Sequence, residues 1–170
     1  MQLSQRITPC LWFDSQAEEA ANFYVSVFKN SKIGMVSRYS EAGKENHQRP
    51  VGSVMTVAFE LDGQSFTALN GGPVFKFNEA VSLEVHCKNQ EEIDYYWDKL
   101  SKGGDPKAQQ CGWLKDKYGL SWQVVPVSLP KMVEDSESPG AKRVMEALMR
   151  MKKIDLAELE RVSGRERVTA

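Results

Sequence analysis

Residues 16–28 read QAEEAANFYVSVF and residues 89–100 read NQEEIDYYWDKL, two versions of one segment. Sliding the first by 73 positions lays Glu18-Glu19 on Glu91-Glu92, and Ala20, Phe23, Tyr24 and Val27 on Ile93, Tyr96, Trp97 and Leu100. Apolar residues recur at i, i+3, i+4 and i+7 in both, which is one face of an amphipathic helix. A short apolar run precedes each copy and reads as a strand. One βα unit is therefore used twice. A repeat of this length is too long for a solenoid and implies two halves of one domain built around a shared core, with function expected between them.

Outward from the first helix, residues 6–13 (RITPCLWF) form the preceding strand, and Asp14-Ser15 supplies an N-cap signal. The pairs Glu18-Glu19 and Glu91-Glu92 read as first-turn charges that complement the helix dipole, not as catalytic carboxylates. Residues 31–40 are a second strand, and residues 41–52 (EAGKENHQRPVG) a polar loop holding His47, read as a solvated loop residue. Residues 53–61 and 64–70 flank Asp62-Gly63, a strong hairpin signal. After the break at Asn70-Gly71-Gly72-Pro73 the pattern restarts, with a strand at 79–87, the repeated helix at 90–102, and strands at 108–115 and 120–128.

The fold class expected is α+β: two tandem βαβββ modules, the second with a short edge strand, forming a curved mixed sheet cup. Residues 1–128 make one domain, with module one at 5–70, a linker at 71–78 and module two at 79–128. A helical extension at 129–162 places Val144, Ala147, Leu148 and Met151 on one face, and residues 163–170 read as a frayed tail. The extension has two ways to bury that face, on its own sheet or on a partner subunit.

Composition narrows the function. The 22 Lys and Arg nearly balance the 23 Asp and Glu, and no basic stripe is interleaved with aromatics, which argues against nucleic acid and anionic membrane as partners. Cys10, Cys87 and Cys111 are odd in number and widely spaced, so they read as reduced, small core hydrophobes of a cytoplasmic protein. No apolar run is long enough to span a bilayer, and the N-terminal residues do not read as a signal peptide. The ligand expected is a small molecule.

The runs ITPCLWFDSQAEEAANFY, GSVMTVAFELDGQSFTALNGGP, FKFNEAVSLEVHC and CGWLKDKYGLSWQVVP, spread over most of residues 6–128, resemble the vicinal-oxygen-chelate (glyoxalase, bleomycin-resistance, dioxygenase) superfamily, and within it the PhnB-like branch. Proteins of that branch often bear the inherited label 3-demethylubiquinone-9 3-methyltransferase domain. Methyl transfer from S-adenosylmethionine would normally need a glycine-rich strand-to-helix turn, and Gly71-Gly72 precedes a proline in the linker instead. The resemblance implies a homodimer. It also implies four ligand positions for a divalent ion, which fall here at Pro9, Thr67, Ser82 and Gln123. Proline offers no side-chain donor and neutral hydroxyls bind divalent ions weakly, so no metal site of the family type and no cofactor are expected.

Strand alternation supplies the candidate ligand-binding residues. Leu83 and Val85 share one face of their strand, and Ser82, Glu84 and His86 the other. Cys10 and Trp12 are placed under the first helix, and Trp122 and Val124 under the second. That leaves Pro9, Leu11, Phe13, Thr67, Leu69, Ser121, Gln123 and Val125 toward the cup. Glu84 and His86 are the catalytic candidates, since a carboxylate beside an imidazole makes an acid–base pair, and Gln123 is suited to orienting a polar group. The same two residues also fit a wet face or a subunit contact. Phe75, Phe77, Trp113 and Tyr118 are candidates for an apolar wall. The leading reading is a small-molecule-binding protein of undetermined reaction. One alternative is a metal-dependent lyase, isomerase or dioxygenase with Fe(II), Mn(II) or Zn(II) held by Glu84, His86 and Gln123. The other is a drug-sequestering protein, for which Glu84 is the sole inward acid.

Overall fold

A computed structural model describes residues 5–164. The chain divides into two compact units whose boundary falls between Phe77 and Asn78. In the first unit β1 (Cys10–Phe13) leads to α1 (Ala17–Val27), β2 (Lys32–Arg38), the short α2 (Lys44–His47), β3 (Val54–Leu61) and β4 (Gln64–Asn70). The four strands form one mixed sheet in the order β1-β4-β3-β2, with β1 parallel to β4 and the other pairs antiparallel. Asp62 and Gly63 both take positive φ, 45° and 82°, the signature of a two-residue type I′ hairpin. The helix covers one sheet face. Fully buried Tyr24 of α1 stacks on Phe59 of β3 at 6.3 Å, and Phe59 stacks on Phe66 of β4 at 5.3 Å.

The start of α1 is capped from a distance. Asp14 and Ser15 do not cap it; the N-cap is Gln16, whose side chain makes no capping bond. Instead the Ala17 N–H donates to Asn70 Oδ1 at 2.8 Å, while the Asn70 amide donates to the Val54 carbonyl at 3.1 Å. Buried Asn70 thus ties the end of β4 to the start of β3 and the start of α1. In the second unit the cap is local: Asn89 accepts from the Glu92 N–H at 2.9 Å, and Glu92 accepts from the N–H of Lys88, one residue before the cap, at 2.8 Å.

That unit runs β5 (Ser82–Cys87), α3 (Gln90–Ser101), a 3-10 turn (Pro106–Ala108), β6 (Trp113–Lys115), β7 (Ser121–Pro126), α4 (Leu129–Met132), α5 (Pro139–Leu148) and α6 (Leu156–Ser163). Its sheet has three strands in the order β5-β7-β6, with β5 parallel to β7 and β6 antiparallel to it. Among the described residues the second repeat is one strand short of βαβββ. The segment that would supply the strand holds Gly103, Gly104 and Pro106, and a Cβ on Gly104 would lie 1.9 Å from the Lys115 carbonyl oxygen. Those residues therefore turn tightly against β6. The β6–β7 connection is organised by buried Asp116, which accepts from the Tyr118 and Leu120 N–H groups and, at 2.8 Å, from the Trp122 indole N–H.

The helical extension docks within its own unit. Cys111 and Gly112 donate to the Met151 and Lys152 carbonyls, each at 2.8 Å, and Ile154 is fully buried. The Gln90 side chain behaves as a detached peptide group, donating to the Ile154 carbonyl at 3.1 Å and accepting from the Leu156 N–H at 2.8 Å. Val144, Ala147 and Leu148 of α5 are buried as the helical period requires, whereas Met151 follows the helix. The helix α6 runs through Ser163, and the remainder of the expected tail, from residue 165, lies outside the described residues.

Two outcomes are expected. Asn70→Ala leaves a buried N–H at α1 and a carbonyl at β3 without their partner, and should lower unfolding free energy by about 1–3 kcal/mol in urea titrations; a loss under about 0.5 kcal/mol would show that Asn70 does not join these elements. Hydrogen bonds from Lys153 and then Gln90 hold the Asp94 carboxyl below its ordinary value of 3.8. A carboxylate depressed in the folded state stabilises docking above its unfolded pKa and loses that contribution as pH falls through the folded value. The Leu156 amide, corrected for intrinsic exchange, should therefore lose protection below about pH 4. Asp94→Asn should flatten this dependence; an unchanged profile would contradict the assignment.

Candidate functional site

Each sheet has one face under a helix and one open face, and strand register assigns every residue to one or the other. In the first unit, β1 pairs with β4 so that Leu11 lies beside Ala68 and Phe13 beside Asn70, while Cys10 lies beside Thr67 and Trp12 beside Leu69. Phe66, Ala68 and Asn70 share the helix face, because Phe66 stacks on Phe59 and Asn70 caps α1. Leu11 and Phe13 are thus core residues under α1, only 7% and 4% exposed. Pro9 falls on the same side by alternation, and its carbonyl accepts the Thr67 N–H at 3.0 Å. Cys10, Trp12, Thr67 and Leu69 occupy the open face. The assignment of β1 by the helix repeat is therefore inverted.

The reason is one residue in a loop. The helices are offset by 73 positions, since Ala17 corresponds to Gln90, but the strand ends Phe13 and Cys87 are offset by 74. The first strand-to-helix connection is longer by one residue, and a one-residue slip moves every side chain to the opposite face. On the strand offset Cys10 corresponds to Glu84, Trp12 to His86 and Thr8 to Ser82.

In the second unit the expected faces hold. Val85 and Cys87, with Trp122 and Val124, are buried on the helix side, and the open face carries three rows across the strands. Ser82, Ser121 and Lys115 form one, Glu84, Gln123 and Trp113 the next, and His86 and Val125 the third. The polar side chains meet. Gln123 Nε2 donates to Ser82 Oγ at 2.9 Å and lies 3.5 Å from Glu84 Oε1, while His86 Nε2 lies 3.5 Å from Glu84 Oε2. The His86 and Glu84 side chains are 55% and 51% exposed, so this pair is wet, as a strand face that alternates polar and apolar often is. Lys115 is held by Glu79, whose carboxyl is kept below the usual range chiefly by the Lys115 hydrogen bond. Ser121 is 1% exposed, and its hydroxyl has no partner among the described residues.

The other candidates disperse. Phe75 packs edge-on against Trp12 and Phe77 against Phe13, within the first unit, and Tyr118 lies beneath Lys117. His47 belongs to α2, where its Nδ1 accepts the Arg49 N–H at 3.0 Å and its ring packs at a tilt against Tyr39. Trp113 was legible as an aromatic candidate, but its place beside Gln123 follows from the β6–β7 register alone. Of the three cysteines only Cys87 is a core residue; Cys10 is exposed and Cys111 partly so.

The superfamily's donor set does not fit a divalent ion here. On the strand offset the residue corresponding to Ser82 is Thr8, not Pro9; neutral hydroxyls at Thr8, Thr67 and Ser82 bind divalent ions weakly, and Gln123 presents its amide nitrogen to Ser82 and Glu84. Among the described residues no group of three or more His, Cys, Asp or Glu is placed to hold a metal ion. Among the same residues no helix is long and apolar enough to cross a membrane.

A family model described as 3-demethylubiquinone-9 3-methyltransferase matches residues 5–125, which end before the helical extension. Among solved structures, a PhnB protein of Bacillus cereus carrying the same methyltransferase label is 40% identical, with 72% of this chain and 100% of that chain covered and a TM-score of 0.61. A Staphylococcus aureus protein is 29% identical over 71% of this chain and 94% of its own, with a TM-score of 0.31. A Pseudomonas aeruginosa protein shares the fold at 17% identity, over 72% of this chain and 98% of its own, with a TM-score of 0.54. No curated protein matches the chain.

Thiol chemistry checks the face assignment. Burial, aided by the nearby Glu92 charge, pushes the Cys87 thiol up to about 12, so it carries almost no reactive thiolate at mildly alkaline pH. Iodoacetamide should alkylate Cys10 in the folded protein and Cys87 only after unfolding. Protection of Cys10 equal to that of Cys87 would put β1 back in the register that the helices imply.

Proposed function

We propose a small-molecule-binding role, centred on Ser82, Glu84, His86, Gln123 and Val125, for this chain, which belongs to the PhnB-like branch of the glyoxalase superfamily and to the family described as 3-demethylubiquinone-9 3-methyltransferase. The observation that carries the reading is the hydrogen-bonded row on the open face of the second sheet, where Gln123 is oriented by Ser82 and Glu84 beside an exposed His86. Polar side chains convergent on a sheet face, one of them fixed by a neighbour, suit recognition of a polar group. Thr67 and Leu69 remain on the first sheet's open face, while Leu11 and Phe13 leave the proposed ligand set for the core. Glu84 and His86 are the pair available for proton transfer should the bound molecule react.

Methyl transfer is not proposed. A Cβ on Gly71 would lie 2.2 Å from the Trp12 ring, so this glycine admits an indole and does not cradle a nucleotide. The Trp12 N–H donates to the Gly72 carbonyl at 2.8 Å, which completes the same contact. Homodimerisation remains a proposal on the family resemblance, and exposed Val127, Met145 and Met149 offer apolar surface for it.

Elemental analysis and ligand-induced melting shifts test this reading together. Purified protein without added ions should hold substoichiometric metal, and small polar ligands should raise Tm in the native protein but not in a Glu84→Ala/Gln123→Ala variant. One equivalent of a divalent metal, lost in Glu84→Ala, would favour the metal-dependent alternative.

A further inference from the structure

The row Glu84–Gln123–Trp113 has a direction that limits what can lie on it. Both partners of the Gln123 amide nitrogen, Ser82 at 2.9 Å and Glu84 at 3.5 Å, come from β5, on one side of β7. With its nitrogen engaged on the β5 side, Gln123 keeps Oε1 as an acceptor, and Trp113 of β6 is its register partner on the other side. The row thus holds, from β6 to β5, an indole, an amide whose oxygen is an acceptor, and a carboxylate. Adjacent strands are about 4.8 Å apart, so roughly 10 Å separates the backbone positions of its two ends.

The charge on this face is one-sided. Lys115 is paired with Glu79, and the half-exposed Glu84 carboxylate has the His86 imidazole, charged only when protonated, 3.5 Å from one oxygen. Ser121, buried and with no partner for its hydroxyl among the described residues, lies next along β7 from Gln123 on the same face. An anionic ligand would meet the Glu84 carboxylate and the Gln123 oxygen with Lys115 already engaged by Glu79, leaving on this face among the described residues His86, when protonated, to offset them. A ligand with N–H donors and positive charge would satisfy both acceptors, and its plane would find the Trp113 ring.

We propose that the ligand of the second sheet's open face is a planar organic cation bearing N–H donors, of amidinium, guanidinium or protonated aminoheterocycle chemistry, lying along Trp113, Gln123 and Glu84. The inference rests on the small-molecule-binding reading and adds the sign and shape of the ligand. Gln123 and Glu84 accept its N–H groups and Trp113 stacks on its plane.

Benzamidinium, benzamide and benzoate are near-isosteric and differ in charge, so they separate the terms. Titrated into 15N-labelled full-length protein, benzamidinium should shift the Trp113 indole and Gln123 side-chain amide resonances and bind at least tenfold more tightly than benzamide, while benzoate leaves them unmoved. Glu84→Gln should reduce the benzamidinium preference over benzamide to within about twofold, and Trp113→Leu should weaken both. Each variant's spectrum and Tm serve as the check that it folds. Benzoate or benzamide shifting the same resonances with equal or greater affinity would overturn the cation assignment and leave the binding face standing. If none of the three probes shifts residues on this face, the cation assignment falls, and neutral polar fragments then decide whether the face binds anything.

Discussion

Side chains on a strand alternate between faces, and in this protein the parallel pairing of β1 with β4 and of β5 with β7 fixes which face each residue occupies. Everything proposed about function depends on that parity. A strand paired at its centre cannot slip by half a repeat without carrying its whole apolar set from core to solvent. The register that buries Leu11 and Phe13 beside Ala68 and Asn70 is the same constraint that displays Cys10 and Trp12. In the second unit the register that buries Val85 and Val124 displays Glu84 and Gln123 side by side.

Parity also makes the two repeats unequal. The open face of the first sheet carries neutral groups at the equivalent positions, with Cys10 beside Thr67 and Trp12 beside Leu69. The second carries a carboxylate, an imidazole and an amide at Glu84, His86 and Gln123. The scaffold is used twice, and the hydrogen-bonded group of carboxylate, imidazole and amide stands at these positions in the second copy. The copies are also held together differently. Asn70 reaches across the first unit to cap α1, whereas Asn89 and Glu92 cap α3 within a turn, and only the second unit carries the extension clasped by Gln90.

Much of the fold was legible because it rests on local signals. The matched helices, the Asp62-Gly63 hairpin and the α5 face each follow from a periodicity or a turn residue that acts over a few positions. The family was legible from runs such as CGWLKDKYGLSWQVVP, and the match over residues 5–125 bears it out. What escaped is non-local. Asn70 as the cap of α1 requires a partner 53 residues away, and Asp116 as the anchor of Trp122 needs a carboxylate buried by tertiary packing. The inversion of β1 came from extending a helix ruler through a loop of unequal length. Ser82, Glu84 and His86 were legible together because β5 is a clean alternation, and Gln123 because β7 alternates likewise, but Trp113 joined them only through the β6–β7 register.

The central claim is that the second sheet's open face is where this protein meets its small molecule. Crystals of the full chain soaked with a chemically varied fragment set test it most directly. The account places bound fragments over Glu84, Gln123 and Trp113, within hydrogen-bond distance of Gln123 Oε1 or the Glu84 carboxylate. Fragments gathering elsewhere, with this face occupied by water alone, would contradict it.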